Sequence, residues 1–443
     1  MRGTSAGYIV PVFFLVLMFI IGYTTGQTGI PVEDGGEFLT VARLGGVNHP
    51  PGLPLVSLSA RVFWAIFGKE GLRALFALFA ATTLVLADRK HLVQSGLFTT
   101  GILLLPAVAG RLLMWDAYSP LLLIFVVTLV SKPRMSLEGG YLTGLAMAVH
   151  PQGIFLPVLC SWRYFSPVKF LGGLVLGLSL YLALPIYSAA GAVVDWGSTG
   201  NLANFLRQVS AEGYREVYGA SMGGIPVHVL LRHLKALWSI LWPVMLVPFA
   251  IGVAWMFKGN RKLMSRLAIL LVADIIFVTV VNPMAAGTTQ TATLSLLVIV
   301  VFSIYGFYVI DRLNRVAGYV VAVATIGFCI MLWRPLPNQS DRVHDYFSGA
   351  PIRSAFFIND NDLLYGGWVM KYVDDRRPDI VLLSTGNFSV WFERMVNHFN
   401  PDIDLSKGIL DVGDFSMPRE QAASRLMDAT IRDNPNWEFF IDI

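Results

Sequence analysis

Charge is scarce in this sequence. Asp, Glu, Lys and Arg make up 14% of its 443 residues, where ordinary soluble domains carry about a quarter. That excludes a conventional soluble enzyme as the whole of the chain. Cysteine is scarcer still. The two present, Cys160 and Cys329, both lie in apolar segments and read as small buried hydrophobes, which excludes a disulfide framework and a thiolate metal pair. The chain has no GxGxxG and no P-loop, so nucleotide binding has no support. It has no basic run or aromatic-interleaved basic patch, so nucleic acid is not an expected partner. Internal repeats and low-complexity runs are absent too.

Apolar sequence is what remains. The chain is 55% hydrophobic with a mean hydropathy of +0.61, which predicts a polytopic α-helical membrane protein. A span needs roughly 20 apolar residues, fewer inside a bundle. Apolar segments fall at 8–23, 53–67, 72–87, 97–113, 121–130, 141–149, 153–162, 170–187, 237–257, 267–281, 294–310 and 317–333. The first reads as an uncleaved helix and not a signal peptide, with Arg2 on the cytoplasmic side. If 53–67 lies along the outer surface, the clusters Arg89-Lys90, Lys132/Arg134, Arg163/Lys169, Lys258/Arg261/Lys262 and Arg312/Arg315 all fall inside, as cytoplasmic loops prefer. That arrangement has about 11 crossings by the span-length rule. The alternative makes 53–67 a true span and 141–162 one helix, and it exports the first two clusters.

The charge balance shifts near residue 333. Residues 1–333 hold 22 Lys+Arg and 12 Asp+Glu; residues 334–443 hold 11 and 17. A basic membrane domain over 1–333, with outer loops 26–71 and 189–235, is therefore expected to precede a small, acidic α/β soluble domain over 334–443. In that tail 355–358, 380–384 and 437–441 read as strands, and 362–372 as a helix. The loop 189–235 is aromatic, carries Arg207, Arg215 and Arg232, and is too long to be a plain connector.

The stretch 32–54, VEDGGEFLTVARLGGVNHPPGLP, is the candidate active site. Asp34 and Glu37 are three residues apart, so a helix here stacks them on one face. Asp34 is equally placed to cap that helix, and Gly35-Gly36 permits close approach of a ligand to the backbone. One positioned carboxylate suffices to activate a hydroxyl as general base; the alternative is a capped surface helix with a solvated face. His49-Pro50-Pro51-Gly52 marks a rigid turn, and His49 is either a phosphate or sugar ligand or simply part of a helix-start turn. Trp115-Asp116-Ala117-Tyr118, with Arg111 one turn earlier, suits a sugar phosphate at a membrane mouth or else an interfacial aromatic belt with an ion pair. His150-Pro151 breaks the segment 141–162, and ionisable groups at such depth tend to be functional; the alternative is a histidine hydrogen-bonded within the bundle. Asp274 reads as structural or paired to a neighbouring helix. None of these has zinc-site spacing.

Five ordered features resemble one family: D34-G-G-E37-F with H49-P-P-G52; W115-D-A-Y118; G144-L-A-M-A-V-H150; D195-W-G197 with Tyr214; and D362, W368, Y372 and R377-P-D379 in the tail. The chain resembles the GT-C superfamily of membrane glycosyltransferases and, more closely, glycosyltransferase family 117. Where Asp116 stands the family usually has Glu, and many relatives carry long C-terminal repeat domains where residues 334–443 form the tail here, which leaves the acceptor open. The resemblance implies inverting transfer of a sugar, often mannose, from a polyprenyl-phosphate donor to an acceptor hydroxyl on protein or glycan. It implies Asp34 as catalytic carboxylate with Glu37 in support. His49, Arg111, Asp116, Tyr118, His150, Trp196, Tyr214 and Arg215 are then the donor- and substrate-binding candidates. No cofactor is expected, because a single phosphodiester leaving group does not demand a divalent metal. The expected partners are the lipid-linked sugar, the acceptor and membrane lipid. The expected location is a bacterial inner (plasma) membrane, with the active site and the tail extracytoplasmic. A lipid or sugar transporter is the competing class; transporters tend to carry paired broken helices in an inverted repeat, and only one broken segment, around His150, is legible here.

Overall fold

The computed structural model describes residues 6–212, 227–241, 244–281, 292–385, 390–405 and 419–441. The chain forms two compact units. One comprises Met1–Gln27, Arg73–Leu180 and Tyr218–Leu336; the other comprises Thr28–Leu72, Tyr181–Val217 and Pro337–Ile443. The second unit thus gathers the stretch around Asp34, part of the long loop and the tail.

The chain is a polytopic helical membrane protein. Among the described residues five helical stretches are long and apolar enough to cross a bilayer: Pro54–Asp88, Pro167–Ala189, Arg261–Val281, Thr293–Leu313 and Arg315–Leu332. Two bent helix pairs raise the number to as many as seven. Several expected segments are instead short or broken. Leu92–Leu103 and Pro106–Leu112 meet at 85°, with a proline opening the second piece, where its fixed φ and missing N–H are tolerated. Tyr118–Ser131 has 14 residues. Leu137–Val149 stops at His150, and a 3-10 turn, Pro151–Leu159, follows. Proline cannot supply the N–H that the helix needs to continue. The stretch Pro54–Asp88 breaks at Gly68, with φ 64° and ψ −150°, so 53–67 and 72–87 are separate helical pieces, as their separate apolar runs predict.

Small residues decide how the first unit packs. Leu137–Val149 and Pro167–Leu178 approach so closely that a Cβ on Gly140, Gly144, Gly173 or Gly177 would overlap the facing backbone. Gly252 and Gly306 meet the same constraint where Leu246–Gly259 crosses Thr293–Leu313. Helix pairs in lipid gain little from apolar burial, so close van der Waals approach through a small-xxx-small pattern is what holds them. Gly172, next in sequence to Gly173, faces open space. Gly173→Leu is therefore expected to lower the thermal midpoint in detergent by an overpacking cost of about 1–3 kcal/mol or more. Gly172→Leu should leave it unchanged, and equal midpoints for the two variants would contradict this packing.

The second unit is built on two small parallel pairings. Gly46–Val47 pairs with Val194–Asp195. In the tail Ser354–Ile358 lies between Val381–Ser384 and Glu438–Ile441, all parallel. The central strand is wholly buried, as parallel strands usually are. Phe356 stacks on Phe440 at 4.9 Å and Phe357 on Phe439 at 5.9 Å. The expected helix at 362–372 is Asn361–Trp368 continued by a wider turn, Val369–Val373. Asp360 caps it by accepting from Asp362 N at 2.8 Å and Leu363 N at 3.3 Å.

Two cations hold the tail together. Arg377 bonds Asp379 at 2.8 Å and donates to the carbonyls of Phe347, Ala350 and Pro351. Lys371 is buried and donates to Pro378 O at 2.9 Å, to Ile380 O and to Asn400 Oδ1 at 2.8 Å. Burial lowers its pKa to about 8, although Asp379 acts in the opposite sense.

Candidate active site

The sequence around residue 34 folds into a short helix, Gly35–Leu44, with Asp34 at its N-cap position and Glu37 in its first turn. Asp34 makes no side-chain capping bond. Gly45, at φ 78° and ψ 157°, ends the helix and donates its N–H to Val41 O, in a positive-φ conformation open to glycine. Arg61 donates to Ala42 O at 3.1 Å and to Arg43 O. A cation thus binds the exposed carbonyls at the negative end of the helix, which accounts for a charged residue in an apolar run.

The chain then turns back at 49–52. Gly52 N donates to His49 O at 2.8 Å. Gly52 has φ 94°, and a Cβ there would meet Leu184 Cδ1 at 2.7 Å, so only glycine fits. This turn lays His49 over the helix. Glu37 accepts from the backbone N of His49 at 2.7 Å and meets its Nδ1 at 2.6 Å. Both oxygens of one carboxylate are committed to one residue. Glu37 is 0% exposed and the Asp34 side chain is 35% exposed. Asp34 Oδ2 lies 3.9 Å from His49 Nε2, an electrostatic separation beyond hydrogen-bond range. Burial works against a charge on His49, but Glu37 and Asp34 outweigh it and raise the pKa from 6.5 to about 9. At neutral pH the unit therefore holds an imidazolium between two carboxylates.

The glycines do not both open space for a ligand. Gly36 packs against the backbone of Tyr365, where a Cβ would lie 2.8 Å from its carbonyl oxygen. Gly36 is small because two helices touch there, which corrects the reading of Gly35-Gly36 as a ligand approach. A further carboxylate sits on the same end of the helix: Asp362 accepts from Glu33 N. Burial raises the Asp362 pKa, and the charges of Asp360 and Asp34 add to that.

Aromatic groups close the other side. His49 meets Phe38 edge-on at 6.0 Å and Trp196 at 6.3 Å. Trp196 leans on Trp391 at 4.8 Å. Asp195 is buried and bonds Ser188 Oγ at 2.8 Å and Arg394 Nη2 at 2.9 Å. The structure thus brings Asp34, Glu37, His49 and Trp196 together. Arg394 and Trp391 went unrecognised in the sequence, because neither stands in a motif. Asp195 and Asp362 were visible only as letters of the resemblance.

The other candidates lie in the helical unit. Tyr118 and His150 rings are 5.0 Å apart. Asp116 Oδ1 accepts from Tyr118 N at 2.8 Å. Arg111 is buried and donates to Ala107 O at 2.8 Å. His150 Nδ1 accepts from Gln152 N at 3.3 Å. Gln152 donates to Asp274 at 2.8 Å, and Ser295 N and Oγ bond the other oxygen of Asp274 at 2.9 and 2.5 Å. Asp274 is thus paired to neighbouring segments, and a buried polar cluster runs from Tyr118 to Ser295. Tyr214 and Arg215 lie outside the described residues. No group of three or more His, Cys, Asp or Glu able to hold a metal ion occurs among the described residues.

No protein-family model matches the chain. A stretch of 263 residues is 25% identical to the protein O-mannosyl-transferase tmem260 of Dictyostelium discoideum, covering 48% of this chain and 32% of that protein. The motif resemblance to O-mannosyltransferases is therefore matched at the level of sequence similarity, over about half of this chain and a third of the relative.

Proposed function

We propose that the chain is an inverting glycosyltransferase that moves a sugar, mannose in the first instance, from a polyprenyl-phosphate donor to an acceptor hydroxyl on protein or glycan. One observation carries the reading. Asp34 is the partly exposed carboxylate of a site whose second carboxylate, Glu37, is wholly committed to His49. A general base has to come within hydrogen-bond reach of its proton, directly or through one water; the Asp34 side chain is 35% exposed for this and that of Glu37 is 0% exposed. The similarity to an O-mannosyl-transferase supports the same class.

In this reading Asp34 takes the proton of the acceptor hydroxyl as its oxygen attacks the anomeric carbon. The bond from that carbon to the phosphate oxygen breaks, and the polyprenyl phosphate leaves with the electron pair. Glu37 fixes His49, and the imidazolium keeps the Asp34 carboxylate oriented. The reaction needs no metal, since the leaving group is a single phosphate. The proposed setting is a bacterial inner membrane with about 11 crossings, in which short helices such as Tyr118–Ser131 and Leu137–Val149 add to the five long stretches. The site and the acidic tail face the extracytoplasmic side, with the Lys/Arg clusters inside.

In the helical unit, Arg111 and His150 are the proposed phosphate partners, beside Asp116 and Tyr118. A charge-assisted contact contributes about 1.5–3 kcal/mol. Replacing either residue by Ala should thus raise the donor concentration for half saturation about ten- to a hundredfold, with folding retained. Unchanged donor saturation in both variants would remove the assignment. The reading as a whole is tested by label transfer. Purified full-length chain, polyprenyl-phosphate mannose labelled in the sugar and a mixed acceptor pool should yield labelled acceptor and free polyprenyl phosphate. Donor moved across a vesicle membrane with no acceptor labelled would favour a transporter.

A further inference from the structure

Three polar atoms, on the residue before His49, on Trp196 that meets the His49 ring at 6.3 Å and on the residue before Trp196, are buried and carry no hydrogen bond among the described residues. They are Asn48 Oδ1, Asp195 Oδ1 and Trp196 Nε1. Buried polar atoms in folded proteins are nearly always paired, and an indole N–H usually finds an acceptor. These three are not scattered. The parallel register sets Gly46 beside Val194 and Val47 beside Asp195, so Asn48 and Trp196 follow at the same end of the same pairing.

Their chemistry is selective. Two are acceptors, one of them on a carboxylate, and one is a donor. A phosphate has only acceptor oxygens and a negative charge, so a carboxylate and an amide oxygen repel it. A hydroxyl both donates and accepts. The ligand that satisfies this set is polyhydroxylated, and the half-buried Trp196 supplies an apolar ring of the kind on which a sugar lies.

The surroundings hold the set in place. Arg394, from helix Val390–Phe399, bonds Asp195 Oδ2 at 2.9 Å and Ser198 Oγ at 3.3 Å. Ser188 takes the same Oδ2 at 2.8 Å. Two donors on one oxygen leave the other to a ligand. Trp391, itself buried, backs the Trp196 ring at 4.8 Å.

We propose that Asn48, Asp195 and Trp196 form a pyranose subsite beside His49, and that Arg394 and Trp391 are the residues that position it. The inference rests on the transferase reading for its purpose but not for its test. A sugar ring on Trp196 lies against the residue that bridges Asp34 and Glu37. The tail, through Trp391 and Arg394, then contributes to the sugar site.

The experiment is saturation-transfer NMR on the full-length chain in detergent, with the methyl pyranosides of mannose, glucose and galactose. At least one should receive transfer from the protein. Trp196→Ala should weaken that binding about tenfold or more and Trp196→Phe less, since Phe keeps a ring and loses the N–H donor. Arg394→Ala should weaken it about fivefold, and Arg394→Lys should restore it to within about twofold, because an ammonium still pairs with Asp195. A purely structural Arg394 would shift the thermal midpoint of its variants without moving sugar affinity. The subsite is overturned if no pyranoside binds, if the Trp196 and Arg394 variants bind as the wild type does, or if inorganic phosphate alone competes at this position. Sugar binding that follows these residues without any transfer from a lipid donor would leave the subsite standing and remove the transferase reading. Transfer with sugar binding indifferent to both residues would do the reverse.

Discussion

Asp34→Asn is expected to abolish turnover and to leave donor binding intact. The amide keeps the shape of the carboxylate but cannot take a proton. General-base catalysis contributes about 10²–10⁴-fold, and that is the expected loss in the rate of transfer at saturating donor and acceptor. The donor concentration for half saturation should stay near the wild-type value, because nothing in the assignment gives Asp34 a role in holding the lipid phosphate. Folding should survive, since Asp34 makes no capping bond and its side chain is 35% exposed. Normal turnover in this variant would remove the base from the proposed mechanism, whatever the other residues do.

Glu37→Gln should cost about ten- to a hundredfold, less than the loss at Asp34 on the same scale, and should also change the pH profile. In the wild type Glu37 receives both the backbone N and Nδ1 of His49. Glutamine accepts one of these, presents an NH₂ to the other and carries no charge, so the protonated imidazole loses the carboxylate that stabilises it. His49, raised to about 9 in the folded chain, should then titrate at lower pH. Transfer by the wild type should fall as pH rises through about 9, and in Glu37→Gln that alkaline limb should move toward neutrality. Stability follows the same sign. The folded pKa lies above the reference of 6.5, so the contribution of His49 is fully present below 6.5 and is lost as pH rises through about 9. An alkaline limb in the same place in both proteins would show that Glu37 does not control His49.

The residues that could be read in advance are those whose meaning is local. Asp34, Glu37 and His49 stand within one short stretch, and helical spacing already places Asp34 and Glu37 at one end of one helix. The tail strands announced themselves as apolar runs between turn residues, and His150-Pro151 announced a helix break. What could not be read depends on contacts between distant parts of the chain. The two-point hold of Glu37 on His49 requires the turn at 49–52 to fold back over the helix. The Asp195–Arg394 pair joins positions 199 apart in sequence. Gly36 looked like room for a ligand until Tyr365 filled it. The close pairing of Leu137–Val149 with Pro167–Leu178 did have a local signal. Gly140 and Gly144 stand four apart, as do Gly173 and Gly177, which is the GxxxG pattern of helices meeting in lipid. The gathering of two loops and the tail into one unit had no such signal, because compactness across three separate stretches leaves no mark on the sequence of any one of them.

A single displacement by a hydroxyl that Asp34 deprotonates inverts the anomeric carbon, whereas two displacements through a covalent carboxylate ester retain it. The most direct measurement is therefore the anomeric configuration of the transferred sugar. It is read by NMR on product formed from a polyprenyl-phosphate mannose of known configuration with the full-length wild-type chain. The expected product linkage is opposite to that of the donor. A product with the donor's own configuration would contradict it, since a single displacement by a hydroxyl that a base deprotonates cannot retain the anomeric configuration.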